Sequence, residues 1–503
     1  MNREQAVSAV REMLSGPRAF EADRLEALAA AVRPWTDAYA LSQLQLKGVT
    51  GGNADGSPWS AVAGLARKSQ TNFLPLVLDI FSQSLKVDNY LSGSETPKVW
   101  EWWQRNKMDA RQTGINRTAL HYGVSYATVL PAMNPRVTDK AAYIRGVSPR
   151  QMTALYGERM EWDPRVDSPV DDDWPIMALE MNGAMVRFYD ETSVHFIGVK
   201  SVPQSALGWK EYTYHQANNF EYIEGRAHGV GVCPIVRFED RNLLDGEQEL
   251  RGVVEPLLSV QKRIDETTFQ MMVAQYYSAF MQRYVMGWMP KSQGEALRQA
   301  VSDVWYFQDK EVKVGQFDAA DLKGYLESAS SAKRDLSALG QLPAQNLGMD
   351  GISNISEATL AGLEASKDRK EGEIKTSLGE SYEQMMRTAA FITGNSEEAS
   401  DFASEVKWQD MTARTFAQVV DGLGKLAQML EVPKEALWED IPDWTRSKVD
   451  RAKDLAEKQR RQGSVDATLQ GIRGAASRAT QDPQVNELAS RGNNPSRTPE
   501  PPL

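Results

Sequence analysis

The stretch LPAQNLGMDGISNIS, residues 342–356, decides how the chain is interpreted, because it is a polar segment between two long helical patterns. It carries amide, hydroxyl and carboxyl side chains with Gly348 and Gly351, and it contains neither Lys nor Arg. Residues 318–339 before it have helical periodicity, and residues 357–392 after it are rich in Glu and Lys with no breaker except glycine. The pattern predicts a loop that connects two long helices.

A turn-rich insert at residues 281–317 precedes this pair of helices, and a further helical pattern covers residues 248–280. Pro256 lies early enough in that pattern to be tolerated in a first turn. The insert is too short to fold easily alone, so we expect its aromatic side chains to pack against a neighbouring copy. A self-contained hairpin and helix is the alternative. The aromatic residues of the insert are Trp288, Trp305, Tyr306 and Phe307.

The periodicity changes to two between residues 124 and 240, where short β-branched or aromatic segments alternate with Asn-Gly, Pro and Asp. Asn182-Gly183 between two such segments predicts a tight hairpin, because this dipeptide tolerates positive φ angles. The residues before this region have helical patterns. The sequence therefore predicts an α+β fold, mainly α, with an inserted β-rich module.

The regions near both ends of the chain are predicted to be helical. A flexible tail is predicted at the C-terminus. Asn72 is a candidate N-cap for a helix over residues 73–85, and Trp100, Trp102 and Trp103 are candidate core anchors. Residues 400–460 suggest several shorter helices. From residue 461 the composition of Gly, Asn, Ser and Pro predicts a flexible tail.

Composition excludes several classes of protein. The chain has 503 residues, 41% hydrophobic and 25% charged, which is typical of globular proteins with more than one structural region. A net charge of −11 disfavours a protein that coats nucleic acid broadly. A single cysteine excludes an intrachain disulfide, and no apolar run is long enough for a membrane span. We expect a soluble, intracellular protein.

The residues that an enzyme would need do not form a recognisable motif. The four histidines have no close metal-ligand spacing, and Cys233 lies before a proline in an apolar segment, which favours a buried, inert thiol. Asp171, Asp172 and Asp173 suggest a solvated acidic turn more than a cation site. GGNADGS at 51–57 lacks the Gly-Lys-Ser/Thr ending of a phosphate loop. We predict no enzyme activity, no cofactor and no metal.

Several local sequences, taken in order, carry a resemblance to a known family. They are SQTNFLPLVLDIFSQSLKV (69–87), ALHYGVSYATVLP (119–131), VSPRQMTALYGE (147–158), PIVRFEDRNLLDGEQELRGVVEPLLSVQKRIDETTFQ (234–270) and LPAQNLGMDGISNISEATLAGLEAS (342–366). Together they resemble the portal proteins of tailed double-stranded DNA bacteriophages, specifically the siphovirus-type portals. The resemblance covers roughly residues 30–395, and the helical end has no clear match.

The resemblance implies a ring, of twelve subunits in most members, at one capsid vertex, through which DNA is packaged and later ejected. The implied partners are the terminase, the major capsid and scaffold proteins, the head–tail adaptors, and DNA that passes without sequence specificity. The location is the virion, with the host cytoplasm during assembly. The implied regions are a wing (1–248), a stem helix (249–280), a clip (281–317), a second stem helix (318–340), a tunnel loop (341–356), a long wing helix (357–393), a crown (394–460) and a tail (461–503).

The resemblance places the DNA-facing site in the tunnel loop and an intersubunit contact in the clip. A loop without positive charge can donate hydrogen bonds to phosphates without holding them electrostatically. We expect Leu347, Met349 and Ile352 to pack the loop onto its neighbour when the channel is empty. The predicted DNA-facing residues are Gln345, Asn346, Gly348, Met349, Ser353 and Asn354, and the predicted clip interface is the aromatic set of the insert.

Other interpretations stay open from the residues alone. A different head-completion protein of the virion would also lack catalytic motifs, but it would not share this order of helices, insert and loop. A nuclease would need carboxylates that converge on a metal, and a cytoplasmic adaptor with a helical binding face is a third possibility. Residues 445–503 carry 11 basic and 7 acidic side chains. This balance suggests either a solubilising end or a contact with packaged DNA or scaffold.

Overall fold

Two units make up the chain, Met1–Asp410 and Met411–Leu503. The computed structural model describes the ranges that follow, and each statement about structure below concerns them alone. They are residues 1–32, 65, 68–92, 97–132, 141–156, 174–200, 219–241, 252–279, 283–286, 313–316, 321–349, 357–409, 416–441, 444 and 446–481.

Helices dominate the start of the first unit, as predicted. Asn2 and Gln5 form a reciprocal capping box at the first helix, since each side chain accepts the other's backbone N–H at 2.9 Å. Asn72 accepts the Leu74 amide at 3.1 Å, just before the predicted helix. The elements are α1 (Arg3–Ser15), α2 (Pro17–Val32), α3 (Leu74–Ser84), β1 (Val87–Leu91), α4 (Val99–Arg105) and α5 (Met108–Tyr122).

The β-rich module consists of two antiparallel sheets. One has the order β3-β2-β9, and the other is a meander, β4-β5-β6-β7-β8. The predicted hairpin is confirmed, because Asn182 pairs with Met185 and Gly183 has a φ of +60°. The strands are β2 (Val124–Ala132), β3 (Ala141–Val147), β4 (Met152–Leu155), β5 (Met177–Asn182), β6 (Met185–Tyr189), β7 (Ser193–Val199), β8 (Phe220–Ala227) and β9 (Ile235–Glu239).

Two antiparallel helices follow the module and enclose the insert. The predicted helix over 248–280 begins later than expected, because Gly252 has a φ of +66° and a 3-10 turn, Glu255–Leu257, precedes it. The elements are α6 (Leu258–Ala279), β10 (Arg283–Met286), β11 (Lys313–Gln316) and α7 (Lys323–Gly340). Strands β10 and β11 pair with each other in the insert.

The longest helix of the first unit, α8 (Glu357–Thr393), packs against both the early helices and the three-stranded sheet. Tyr382 on α8 is fully buried, and its ring lies 5.5 Å from Trp103 and 4.8 Å from Phe238 between centroids. The expectation that the tryptophan cluster is part of the core is confirmed: Trp103 is buried, and Trp100 and Trp102 pack against the same core.

The first unit extends further than the predicted wing. Helix α9 (Ser396–Ala399) and strand β12 (Glu405–Trp408) follow α8, and β12 pairs antiparallel with β1. Residues 394–410 therefore belong with the first unit, whereas the sequence analysis grouped them with the helical end. They belong there because the β1–β12 ladder pairs residues that are more than 300 positions apart in the sequence.

The second unit is helical over a longer range than predicted. It contains α10 (Phe416–Met429), a 3-10 turn (Ala436–Asp440) and α11 (Arg446–Gln481). The prediction of a flexible tail from residue 461 is wrong up to Gln481, because the Ala, Gln and Arg content of this stretch favours helix despite its glycines. Residues 482–503 lie outside the described residues. In the part of the chain that the structure describes, no helix is both long and apolar enough to cross a bilayer.

Candidate functional site

The segment that follows α7 is the centre of the candidate site, and its first residues are held by a compact set of hydrogen bonds. Gln341 ends the helix in the left-handed conformation, with a φ of +56°, and its amide donates to Ala338 O at 3.2 Å. The Leu342 amide donates to Ser337 O at 2.9 Å, and the Ser337 hydroxyl donates to Leu342 O at 2.6 Å. These bonds satisfy carbonyls that a helix end would otherwise leave unpaired.

A short 3-10 turn, Ala344–Leu347, continues the segment. The Asn346 amide donates to Pro343 O at 3.0 Å, and Leu347 is only 2% exposed within the core of the first unit. The expectation that Leu347 packs on a neighbouring copy is therefore wrong. Its side chain is an anchor inside its own subunit, because burying a leucine there contributes about 2 kcal/mol.

Four of the six predicted DNA-facing residues lie in the described part of the chain, and two lie outside it. Gln345, Asn346 and Met349 are partly buried, and Gly348 is exposed with a φ of +69°. The Gln345 side-chain oxygen is buried without a hydrogen-bond partner among the described residues, so this end of the amide faces inward. Ser353 and Asn354, together with Gly351 and Ile352, lie outside the described residues.

A charged cluster that the sequence analysis did not identify lies beside the same helix end. Lys370 on α8 donates to Gly340 O, the last carbonyl of α7, at 3.3 Å, and its ammonium lies 5.0 Å from the centre of the Phe81 ring. Asp240, directly after β9, is fully buried and accepts from the Arg241 guanidinium at 3.2 Å through Oδ2. Its other oxygen, Oδ1, has no hydrogen-bond partner in the described structure.

Burial shifts both ionisable groups of this cluster toward their neutral forms. Burial raises the pKa of Asp240 to about 6, although Arg241 and Lys370 oppose the shift. Burial, with the nearby Arg241 charge, lowers the pKa of Lys370 to about 8, while Asp240 and Glu373 oppose that shift. Asp240 and Lys370 therefore interact electrostatically, yet the hydrogen bond of Lys370 goes to Gly340.

The sequence contains a signal for this cluster. Lys370 precedes Ile374, Leu378 and Tyr382 at successive four-residue intervals, and all three are buried. A lysine on the buried face of a helix is unusual, since lysine is almost never buried without a partner. The partner itself could not be predicted, because Asp240 is 130 residues away along the chain.

The other helix of the pair, α6, is anchored to the segment that precedes α3. Asp265 Oδ1 accepts the Thr71 amide at 3.1 Å, and Gln261 Oε1 accepts the Phe73 amide at 3.0 Å. Gln261 Nε2 donates in turn to Thr71 O at 2.8 Å. Burial raises the pKa of Asp265 to about 6. The two side chains replace the backbone partners that residues 71–73 lack before α3 begins.

The insert between α6 and α7 is described only at its base. Arg283 pairs with Gln316 and Met286 with Lys313 in the β10–β11 ladder, and Met286 is 54% exposed. The predicted interface residues Trp288, Trp305, Tyr306 and Phe307 lie outside the described residues.

His195 and Cys233 of the β-rich module are both buried, and their contacts belong to the packing of the module. His195 Nε2 contacts Asp190 Oδ2 at 3.1 Å, and its Nδ1 contacts the Tyr222 hydroxyl at 3.1 Å. Cys233 is fully buried, and burial raises the pKa of its thiol well above the usual value, as the sequence analysis expected of an inert thiol. The predicted acidic turn at 171–173 and the loop at 51–57 lie outside the described residues. Across the described ranges, no group of three or more His, Cys, Asp or Glu side chains is arranged to hold a metal ion.

Comparison with protein families gives a match over most of the chain. The family model described as "Phage portal protein, SPP1 Gp6-like" matches residues 62–464. The chain belongs to this family of phage portal proteins. The match includes α3, the β-rich module, α6–α8 and the segment after α7, and it begins later and ends later than the resemblance noted from the sequence. The expectation of a portal protein is confirmed, and the alternative of another head-completion protein is not favoured.

Two curated relatives have similar extents. The portal proteins of Mycobacterium phages L5 and D29 are each 23% identical to this chain, over 369 and 370 residues, and the alignments cover 70% of this chain and 71% of each relative. These two portal proteins thus share less than a quarter of their aligned residues with this chain.

Solved structures of gene transfer agent particles are also similar. A chain of the neck of an empty particle, computed with C6 symmetry, has a TM-score of 0.43 and 10% identity, with 80% of this chain and 93% of that chain covered. A chain of the native particle virion has a TM-score of 0.45 and 12% identity, with 78% and 99% covered.

Proposed function

We propose that this portal protein forms a closed ring at one capsid vertex and that DNA passes through the ring during packaging and ejection. The family match over residues 62–464 carries the proposal. A ring of identical subunits needs two different surfaces on each subunit that close by rotation. Twelve copies, the number implied by the family resemblance, is the proposed stoichiometry. No catalytic residue and no cofactor are part of the proposal.

The proposed regions follow the elements of the structure. The wing comprises the early helices, the β-rich module, α8 and the β1–β12 ladder, and the stem comprises α6 and α7. The clip is the insert between the stem helices, and the crown is the second unit from Met411 onward. We propose residue 410 in place of 393 as the boundary between wing and crown, because β12 pairs with β1 and the first unit ends at Asp410.

The segment after α7 is the proposed DNA-facing part of each subunit. Residues 341–356 include no Lys and no Arg, so the segment adds no positive charge that would hold phosphates. In a ring of identical subunits, one lysine per subunit would appear once in every copy. Each copy would neutralise phosphate charge and release counterions, and this release makes DNA binding tight. Backbone and amide groups can contact phosphates without reading base sequence. The anchored residues Gln341–Leu347 support the segment from its own subunit.

Partners are proposed for the other regions. We assign the clip to the terminase during packaging and to head–tail adaptors afterwards, and the outer wing to the major capsid and scaffold proteins. The crown helix α11 has a basic first half, with Arg446, Lys453, Lys458, Arg460 and Arg461 among its charged residues, and we assign it to packaged DNA or scaffold inside the head. The proposed location is the virion, with assembly in the host cytoplasm.

The loop assignment is tested by adding positive charge. The variant Asn346→Arg/Asn354→Arg should assemble normally but slow or stall DNA translocation, most strongly at low salt, where phosphate attraction is least screened. The control is Glu101→Gln/Gln104→Arg, which changes the charge by the same amount at exposed positions of α4. Packaging rates of the loop variant that equal those of the control at low and high salt would contradict the assignment.

A further inference from the structure

Helix α11 carries a row of exposed apolar side chains. Leu455, Leu469 and Ile472 are 53%, 47% and 59% exposed. Leu455 and Leu469 are two heptads apart in the sequence, and Ile472 follows Leu469 by three residues. In a heptad labelled a to g, both leucines fall at position a and the isoleucine falls at position d. The three residues therefore share one face of the helix.

The sequence continues this face as a heptad repeat over most of the helix. Six of the eight a and d positions between residues 455 and 479 are apolar, and the last five in succession are all apolar. A repeat of 3.5 residues is typical of a coiled-coil seam, whereas the apolar face of a helix on a globular core follows a period of 3.6. We call these positions the α11 seam: Leu455, Lys458, Gln462, Val465, Leu469, Ile472, Ala476 and Ala479.

Helix α11 packs against the 3-10 turn Ala436–Asp440 of its own unit with the opposite face. Arg460, at position f, donates to Oε1 of Glu435, directly before that turn, at 2.5 Å. Val449, at position b, is only 3% exposed. Positions b and f point away from a and d, so the seam is on the side of the helix that these contacts leave uncovered.

We propose that the α11 seam binds the same seam of a second copy of this chain, in a parallel and in-register coiled coil. The helix has 36 residues, and Gly463, Gly471 and Gly474 lower its propensity, so its stability must come mainly from packing of its apolar face. The same helix of a second copy offers a matching seam, because a positions then pack beside a positions and d positions beside d positions.

The residues beside the seam favour the parallel, in-register arrangement. Each g residue of one helix then lies near the e residue that comes five positions later in the other helix. One of the four pairs joins opposite charges, Arg461 with Asp466, and none joins like charges. Arg461 also pairs with Glu457 of its own helix, but an exposed ion pair of this kind is weak and easily exchanged. The other three pairs are Asp454 with Gln459, Thr468 with Arg473 and Ala475 with Thr480.

The seam contact goes beyond the proposed function and does not depend on it. If the copies also form the ring proposed above, the seams pair two by two, so a ring of twelve subunits would carry six pairs of α11 helices. The basic first half of α11 stays accessible to the partner assigned above, because the exposed Lys453 and Arg460 lie at position f.

Disulfide cross-linking of the full-length protein, without DNA, tests the pairing. The two copies of a d position face each other in a parallel coiled coil, so Ile472→Cys should bring two thiols within the separation of about 7 Å between Cα atoms that a disulfide allows. Mild oxidation should convert most of this variant to a covalent dimer on a non-reducing gel. Gln470→Cys, at an exposed b position, is the matched control and should give several-fold less dimer. Cys233 is fully buried, so the wild type gives the background.

Charge reversal tests the register in the Ile472→Cys background. Arg461→Glu places a like charge near Asp466 of the second copy and should lower the yield of covalent dimer several-fold at low salt. The double change Arg461→Glu/Asp466→Arg restores the opposite charges and should restore the yield. Lys453→Glu, which reverses a charge at position f, is the control and should leave the yield unchanged.

Two results would overturn the proposal. The first is equal cross-linking in Ile472→Cys and Gln470→Cys, or no covalent dimer in either, since the d positions would then not face each other. The second is a yield that does not respond to the reversal of Arg461, which would contradict the in-register pairing. Ile472 is exposed, so its replacement should leave the fold of the subunit intact. Neither readout uses DNA or counts subunits, so a failure here is distinct from a failure of the proposed ring.

Discussion

The Tyr382 hydroxyl donates a hydrogen bond to Asn116 Oδ1 at 2.7 Å, although 266 residues separate the two. The Asn116 amide nitrogen donates in turn to Leu85 O at 2.9 Å. Tyr382 and Asn116 are both fully buried. This chain of bonds joins α8 to α5 and to the end of α3, so the long helix is fixed to the early helices by polar groups as well as by aromatic packing.

Replacing Tyr382 with Phe tests that connection. The variant leaves Asn116 Oδ1 buried without a donor, which should lower the free energy of unfolding by about 1–3 kcal/mol. The matched control is Tyr143→Phe, since the Tyr143 side chain is 42% exposed and should change stability by less than about 0.5 kcal/mol. Chemical denaturation of the two variants measures the difference, and equal stabilities would contradict the role of the bond.

Among the glycines of the described residues, Gly252 is predicted to be the least tolerant of substitution. Its φ is +66°, and an added Cβ would lie 2.4 Å from Leu120 O and 2.8 Å from the Gly123 amide nitrogen. Gly252→Ala should therefore destabilise the protein by more than about 2 kcal/mol, because backbone atoms must move and the left-handed conformation is strained.

A helical glycine provides the control for that variant. Gly372 on α8 has no atom within 4 Å of an added Cβ and no positive φ, so Gly372→Ala should stabilise the helix by about 0.5–1 kcal/mol. Thermal unfolding of both variants checks the prediction. If Gly252→Ala melts at or above the temperature of the wild type, residue 252 is not closely packed against the end of α5.

Asp265 should make stability depend on pH in the mildly acidic range. Its pKa is raised to about 6 by burial, against about 3.9 in an unfolded chain, so between these values the folded state binds more protons than the unfolded state. This residue's contribution therefore falls as pH rises from about 4 to about 6. Asp265→Asn keeps the acceptor for the Thr71 amide and should be more stable than the wild type by about 1–2 kcal/mol at pH 7.

The pH dependence separates this effect from a general change in packing. The advantage of Asp265→Asn should shrink as pH is lowered from 6 to 4, where the wild-type carboxyl becomes protonated. The exposed Asp335→Asn, which removes the partner of Arg263, is the control and should show no such trend. Urea unfolding at several pH values gives the comparison. An advantage of the same size at pH 4 and pH 7 would show that desolvation of Asp265 is not its cause.

The sequence was sufficient to predict elements that depend on local pattern. The Asn182-Gly183 hairpin, the pair of helices around the insert and the long α8 all follow from turn chemistry and periodicity. Strand β12 was missed because it is short and its partner β1 is distant in sequence. The helix from 461 to 481 was missed because its glycines and polar residues outweighed its propensity in the sequence reading.

The sequence proposes the segment at 342–356 as the candidate site, but it does not give the contacts around that segment. The absence of Lys and Arg and the glycines at 342–356 drew attention to the segment, since both are visible in the sequence. The inward orientation of Leu347 and the cluster of Lys370 with Asp240 depend on tertiary contacts. Only the lysine on the buried face of α8 gave a local signal, and its partners come from distant parts of the chain.

The central claim is that identical copies of this chain close into a ring around a channel. Negative-stain electron microscopy of the purified full-length protein tests it most directly, with particle mass measured in the same preparation. The account predicts rings with a central hole and a mass that is a whole multiple of 56.1 kDa, close to twelve subunits. Monomers at every protein and salt concentration, with no ring in any image, would contradict it.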